Sequence, residues 1–179
     1  CLEQHYPTLN NDFEITNYNE FYYHASNDLG LIYITVYKDK QSLELGFNYI
    51  KEAGLNEYPF GQNNLGLLYQ FYIKNMENAK HMYERSLKNC FPLAAYNLGF
   101  MNEKEGNFEE AIKFYIQASE FENKPLIFHG KKYVDERLNV SIIFVICYTN
   151  LKLVEYFYSK KEIEKCREYF IKSLSKINY

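Results

Sequence analysis

The sequence predicts an all-α fold, a solenoid of antiparallel helix pairs in about three to four repeats, closed by a C-terminal capping helix. Three observations predict it. The dipeptide Leu-Gly occurs at Leu29-Gly30, Leu65-Gly66 and Leu98-Gly99, in steps of 36 and 33 residues. Three prolines, Pro59, Pro92 and Pro125, keep a 33-residue step, and in both middle repeats Leu-Gly follows its proline at the same offset. Between these markers apolar residues recur at helical spacing. A period in the thirties marks stacked units, each of which buries its apolar face only against its neighbours.

Each element has its own signal. Residues 1–19 are Asn-rich with weak periodicity, and read as an N-terminal arm or a partial repeat. The repeat array covers 20–158. Its first unit pairs the Leu29-Gly30 helix with a second helix over 41–53, after a longer gap than in later units. In the second unit, 60–73 carries Leu65, Leu68, Tyr69 and Tyr72 on one face, and 78–87 carries Ala79, Met82, Tyr83, Ser86 and Leu87. The third repeats this over 94–104 and 109–121, around a Gly106-Asn107 turn whose residues tolerate positive φ. Pro59, Pro92 and Pro125 stand where a helix begins and a missing N–H costs least. Gly in the first helix and Ala in the second let the two approach closely. An interior Gly costs about 1 kcal/mol relative to Ala, so three at matched places imply a shared steric need.

Beyond Pro125 the Leu-Gly offset lands on Lys131-Lys132, which predicts a degenerate first helix over 126–138 with 140–158 as its partner. A rival alignment sets Asn150-Leu151 against Asn97-Leu98 and Cys166 against Ala111. Residues 159–179 form the capping helix, with Lys161/Glu164, Glu164/Arg167 and Glu168/Lys172 spaced as on a solvated face.

Composition bounds the rest. The 179 residues include 19 Tyr and 14 Phe but no Trp, too much apolar surface for a disordered chain. The net charge is −3 and the pI near 5.9, against the basic stripe of a nucleic-acid binder, so no nucleic acid is expected. Residues 140–148 (VSIIFVICY) fall short of the roughly 20 that cross a bilayer, so no membrane insertion is expected. Four scattered cysteines (Cys1, Cys90, Cys147, Cys166) make neither a disulfide framework nor a zinc motif, and predict a reduced, cytoplasmic setting. A chain beginning with Cys rather than Met reads as a fragment of something longer, the alternative being a processed product such as a bacterial lipoprotein after signal cleavage.

The residues carry a resemblance. Leu65-Gly66-x-x-Tyr69, Ala79-x-x-x-Tyr83 and Pro92 look like the tetratricopeptide signature. Leu93 to Met101 (LAAYNLGFM), followed by Asn107 to Ala118 (NFEEAIKFYIQA), is similar to the Sel1-like branch of that superfamily. The match runs over about 28–121, and Gln62 and Ala95 hold the place of the usual Trp. The resemblance implies a right-handed solenoid whose first helices line a concave groove for peptides. It implies that Asn64 and Asn97, each just before Leu-Gly, bond a peptide backbone, while Asp28 departs from the pattern. Leu31, Leu67, Phe71, Tyr96, Phe100 and Glu103 would follow along the groove. The alternative for the two asparagines is that they tie neighbouring helices together. The basic residues with which some members clamp a C-terminal carboxylate are not at the matching places.

No catalytic constellation stands out. His24/Asp28 and Glu77/His81 have the i,i+4 spacing of a ligand pair, but two ligands do not make a metal site. Glu103, Glu105, Glu109 and Glu110 surround a turn tip, where a perturbed acid–base pair has no pocket. No glycine-rich phosphate loop or nucleophile elbow occurs. The expectation is a non-enzymatic module without cofactor that binds a protein or peptide, its oligomeric state left open. The alternatives are a peptide- or ligand-sensing regulatory domain of a larger protein and, in a different class, an enzyme using the His/Glu pairs.

Overall fold

The computed structural model describes residues 12–37, 39–121, 125–133 and 138–177. Eight α-helices carry it: α1 (Asp12–Ile32), α2 (Lys40–Leu55), α3 (Pro59–Leu68), α4 (Met76–Lys88), α5 (Pro92–Lys104), α6 (Phe108–Ser119), α7 (Leu138–Ser159) and α8 (Ile163–Ile177). Strands β1 (Leu126–Phe128) and β2 (Lys131–Tyr133) interrupt them. Each helix packs chiefly on its neighbours in sequence, with further contacts of α1 on α3 and α5 on α7. Helix α1 reaches back to Asp12, so the expected boundary at 19 falls inside it. Residues 1–11, with Cys1 and His5, lie outside the described residues.

Pro59 and Pro92 open α3 and α5, each after an extended aromatic residue, Tyr58 or Phe91. The matched glycines have one steric use. A Cβ on Gly66 would stand 2.6 Å from the Tyr83 ring, and one on Gly99 2.6 Å from the Tyr115 ring. In the first unit Gly30 faces Gly46 and Ile50 instead, and a Cβ there would meet Ile50 at 2.6 Å. Leu65, Leu98, Tyr83 and Tyr115 are all buried between the helices.

Chain reversals follow one recipe. Glu57, Cys90, Gly106 and Lys161 are left-handed. The N–H three residues past each helix then reaches a carbonyl five residues back: Tyr58 to Ala53, Phe91 to Ser86, Asn107 to Asn102, Glu162 to Phe157. Lys74 is left-handed too, but Asn75 N–H reaches six back, to Tyr69. The extra residue is taken up by a π-helical turn, Tyr69–Ile73. A like turn, Tyr33–Tyr37, ends the first helix of unit one. Asp39 and Asn75, the caps of α2 and α4, each follow their Leu-Gly glycine by nine residues, whereas Asn107 follows Gly99 by eight. One inserted residue, one π turn.

Past Pro125 the structure corrects the expected helix over 126–138. Residues 126–128 and 131–133 pair as an antiparallel hairpin, with Leu126 opposite Tyr133. His129 and Gly130 at its tip both have positive φ, as a type I′ turn requires. The hairpin lies back over the earlier helices: Leu126 is buried with Phe91 and Met101, Phe128 packs on Tyr23 and Tyr58, and Ile127 N–H bonds Asn89 C=O at 2.9 Å. The second-helix role expected for 140–158 is corrected as well. Helix α7 packs on α5 and α6 and takes the place of a first helix, with α8 as its partner. The burial of Thr149, Asn150, Leu153 and Phe157 repeats that of Ala94, Ala95, Leu98 and Asn102, so Leu153, not Leu151, stands for Leu98. Cys166 does stand where Ala111 stands, three residues into its helix. The capping helix is less polar outside than expected: Ile163, Phe170, Ile171 and Leu174 are exposed beside its ion pairs.

Candidate functional site

The first helices α1, α3, α5 and α7 are tied side by side by polar contacts. Asn64 Nδ2 donates to Asn27 Oδ1 at 2.8 Å, linking α3 to α1. Asn97 Nδ2 donates to Asn63 Oδ1 at 2.8 Å, linking α5 to α3. The donor in each case is the residue before Leu-Gly, and the acceptor precedes the Leu-Gly of the unit before by two residues. Between α5 and α7 the link is ionic: Lys152 Nζ lies 3.1 Å from Glu103 Oε1. Asn97 is buried and Asn64 half-buried, so both side chains make the inter-helix bonds that are the alternative to ligand contact.

Of the other expected groove residues, Leu31 packs beside Ile34, Ile50 and Leu65, and Leu67 beside Ala94 and Leu98, both half-buried. Three line clefts. Phe71 is 50% exposed, put there by the π turn, which also exposes Tyr72 and Ile73. Phe100 and Tyr96, one turn apart on α5, stack at 6.4 Å and are half-buried.

Two clefts flank that stacked pair. One, of about 370 Å³, brings Phe71 and Phe100 together over Gln70, Met76 and Met101, with Lys74, Lys104 and Glu105 at its rim. Lys104 Nζ lies 5.2 Å from the Phe100 ring centre, a cation over an aromatic face. The other cleft, of about 300 Å³, lies between α5 and α7 and is lined by Leu93, Tyr96, Phe144, Val145 and Tyr148. Tyr96 meets Tyr148 edge-on at 5.5 Å; burial first, then Tyr148, pushes its hydroxyl up to about 12. Lys74, Met76, Lys104 and Glu105 were missed from the sequence, although Lys104 lies one turn past Phe100 and Lys74 just past Phe71.

The polar core beneath is specific. Tyr83 Oη donates to Gln70 Oε1 at 2.7 Å, and Tyr115 Oη donates to Glu103 Oε2 at 2.5 Å. Gln70 and Glu103 each stand four residues after their glycine. Burial alone would raise the Glu103 carboxyl, but hydrogen bonds from Tyr115 and Lys152 outweigh it and hold it below the usual carboxylate range. Desolvation raises the Tyr83 and Tyr115 hydroxyls far above their ordinary value, so both are donors at neutral pH.

The remaining candidates stay apart. His24 Nδ1 pairs with Asp28 at 3.2 Å, His129 lies 3.7 Å from Glu57, and His81 is exposed. Among the described residues no three His, Cys, Asp or Glu side chains converge as metal ligands. Cys90, Cys147 and Cys166 are half-buried and form no disulfide among the described residues. No helix among the described residues is long and apolar enough to cross a membrane. No family model matches the chain, and no curated protein matches its sequence.

Proposed function

We propose that the chain is a non-catalytic interaction module of the tetratricopeptide-like kind. In this reading three to four units form a right-handed solenoid, and a protein or peptide segment binds along its first helices. One observation carries it: the cleft where Phe71 and Phe100 meet, an apolar floor with two lysines and one glutamate at the rim. Apolar clefts with few polar groups at the edge take side-chain anchors. The rim has one excess positive charge, which favours an apolar segment flanked by acidic residues. The shape and chemistry fit insertion of one or two large side chains, with Asn64 and Asn97 holding the wall rather than the ligand. A cytoplasmic setting belongs to the proposal; Cys90, Cys147 and Cys166 standing outside any disulfide among the described residues is in keeping with it.

The test is partner retention by immobilised protein, wild type against Phe71→Ser/Phe100→Ala. Phe71 is half exposed, so its loss leaves the fold in place. Selective loss of the bound proteins, with unchanged circular dichroism, supports the reading. Equal retention by both rejects it.

A further inference from the structure

The hairpin β1–β2 is seated as a ligand would be. Its first strand lies against the turns from α2 to α3 and from α4 to α5. Leu126 and Phe128, two residues apart and so on one face of the strand, are only 2% and 3% exposed. Leu126 joins the cluster of Phe91 and Met101. Phe128 lies edge-on to Tyr58 at 5.8 Å and to Tyr23 at 6.2 Å. Between these two anchors, Ile127 gives its N–H to Asn89 C=O at 2.9 Å. His129 to Lys132, by contrast, are exposed.

The walls of this trough are held by contacts in which the hairpin has no part. Asn89 Nδ2 donates to Glu57 C=O at 3.3 Å and to Gln62 Oε1 at 3.0 Å, and Ser86 Oγ donates to Pro59 C=O at 2.7 Å. Tyr58, Phe60 and Phe91 form a row of rings, with centres 5.3 and 4.7 Å apart. Anchors on alternate residues with a main-chain bond between them are how a groove reads an extended peptide. A two-stranded hairpin has little stability of its own, and among the described residues β1–β2 pairs with no third strand. It also departs from the repeat: Pro125 keeps the step of Pro59 and Pro92, yet it opens a strand and not a helix.

We propose that this trough is a second docking site, for a partner's extended segment carrying large apolar side chains two residues apart, and that β1–β2 fills it as an internal competitor. The trough lies by the N-terminal ends of α3 and α5, whereas Phe71 and Phe100 stand toward the opposite ends, so the proposal does not rest on the Phe71 cleft. Tethering gives the hairpin a high effective concentration, and a free segment enters when the hairpin's hold is loosened.

The test is a fluorescence titration of the purified 179-residue protein with a labelled peptide of residues 125–133 (PLIFHGKKY). Leu126→Ser/Phe128→Ser in the protein frees the trough and should bind the peptide at least about tenfold tighter than the wild type does. Phe128→Ala alone, the milder variant, should shift affinity the same way. Adding Phe71→Ser/Phe100→Ala to the double variant should leave binding in place. A peptide carrying Leu126→Ser/Phe128→Ser should not bind. Equal affinity of the wild type and both hairpin variants overturns the proposal, as does equal binding of the serine peptide. So does loss of helical circular dichroism in both hairpin variants, since the trough is held to stand without its occupant. Dimers formed by exchange of hairpins between two copies, with no peptide bound, overturn it too.

Discussion

Units two (α3–α4) and three (α5–α6) share one frame and differ in a single polar choice. In each, a tyrosine of the second helix lies across the Leu-Gly glycine of the first and bonds a side chain four residues beyond it. In unit two the acceptor is neutral Gln70; in unit three it is Glu103, which also holds Lys152 of α7. The same geometry is thus a closed internal lock in one unit and a charged link to the next helix in the other. Sterics set the frame, and one atom of difference in the acceptor sets how it couples.

The largest effect should come from removing the ring. Tyr83→Ala and Tyr115→Ala should each cost about 3–5 kcal/mol, because a large buried side chain leaves a cavity. Urea denaturation reads this, and a double-mutant cycle sharpens it. Gly66→Ala in the wild type should cost about 1–3 kcal/mol by overpacking against Tyr83, but in Tyr83→Ala it should be neutral or stabilising. An unchanged cost for Gly66→Ala in both backgrounds would break the shared-frame account.

Next comes the hydroxyl. Tyr83→Phe should lose about 1 kcal/mol, and Tyr115→Phe about twice that, since its acceptor is charged. Equal losses would mean that the Gln-to-Glu difference is energetically idle. The third effect is pH dependence. Glu103 is held below its ordinary range, so the stability it adds is present above the unfolded carboxyl value of about 4.3. That contribution is lost as pH falls below this value and through the lower folded one. Tyr115→Phe and Glu103→Gln should flatten the acid limb of a stability profile, and Tyr83→Phe should not. The smallest effect lies at the turns: Lys74 and Gly106 are both left-handed, so Lys74→Gly should stabilise and Gly106→Lys destabilise, each by about 1 kcal/mol in thermal unfolding.

The frame was legible because backbone sterics write it into residue identity. Pro59 and Pro92 start helices, and Gly66 and Gly99 lie under tyrosines. Pro125 misleads because its 33-residue step extends past the last Leu-Gly, while Leu-Ile-Phe-His-Gly-Lys-Lys-Tyr already holds a short apolar run with β-branched Ile127 and a glycine at the turn of a hairpin. The accessible wall was half legible. Phe71, Tyr96 and Phe100 line clefts, but periodicity could not show that Leu31 and Leu67 pack against the core clusters instead. Nor could it show that Asn64 and Asn97 spend their amides on Asn27 and Asn63, for the acceptor lies a whole unit away in sequence. The π turn that swings Phe71 out rests on one inserted residue, visible only as nine rather than eight steps from glycine to cap.

The most direct test of the binding account is a titration of a captured partner against wild type and Phe71→Ser/Phe100→Ala. The account predicts at least a tenfold loss of affinity, about 1.4 kcal/mol, with the melting temperature held. Affinity unchanged within error would contradict it.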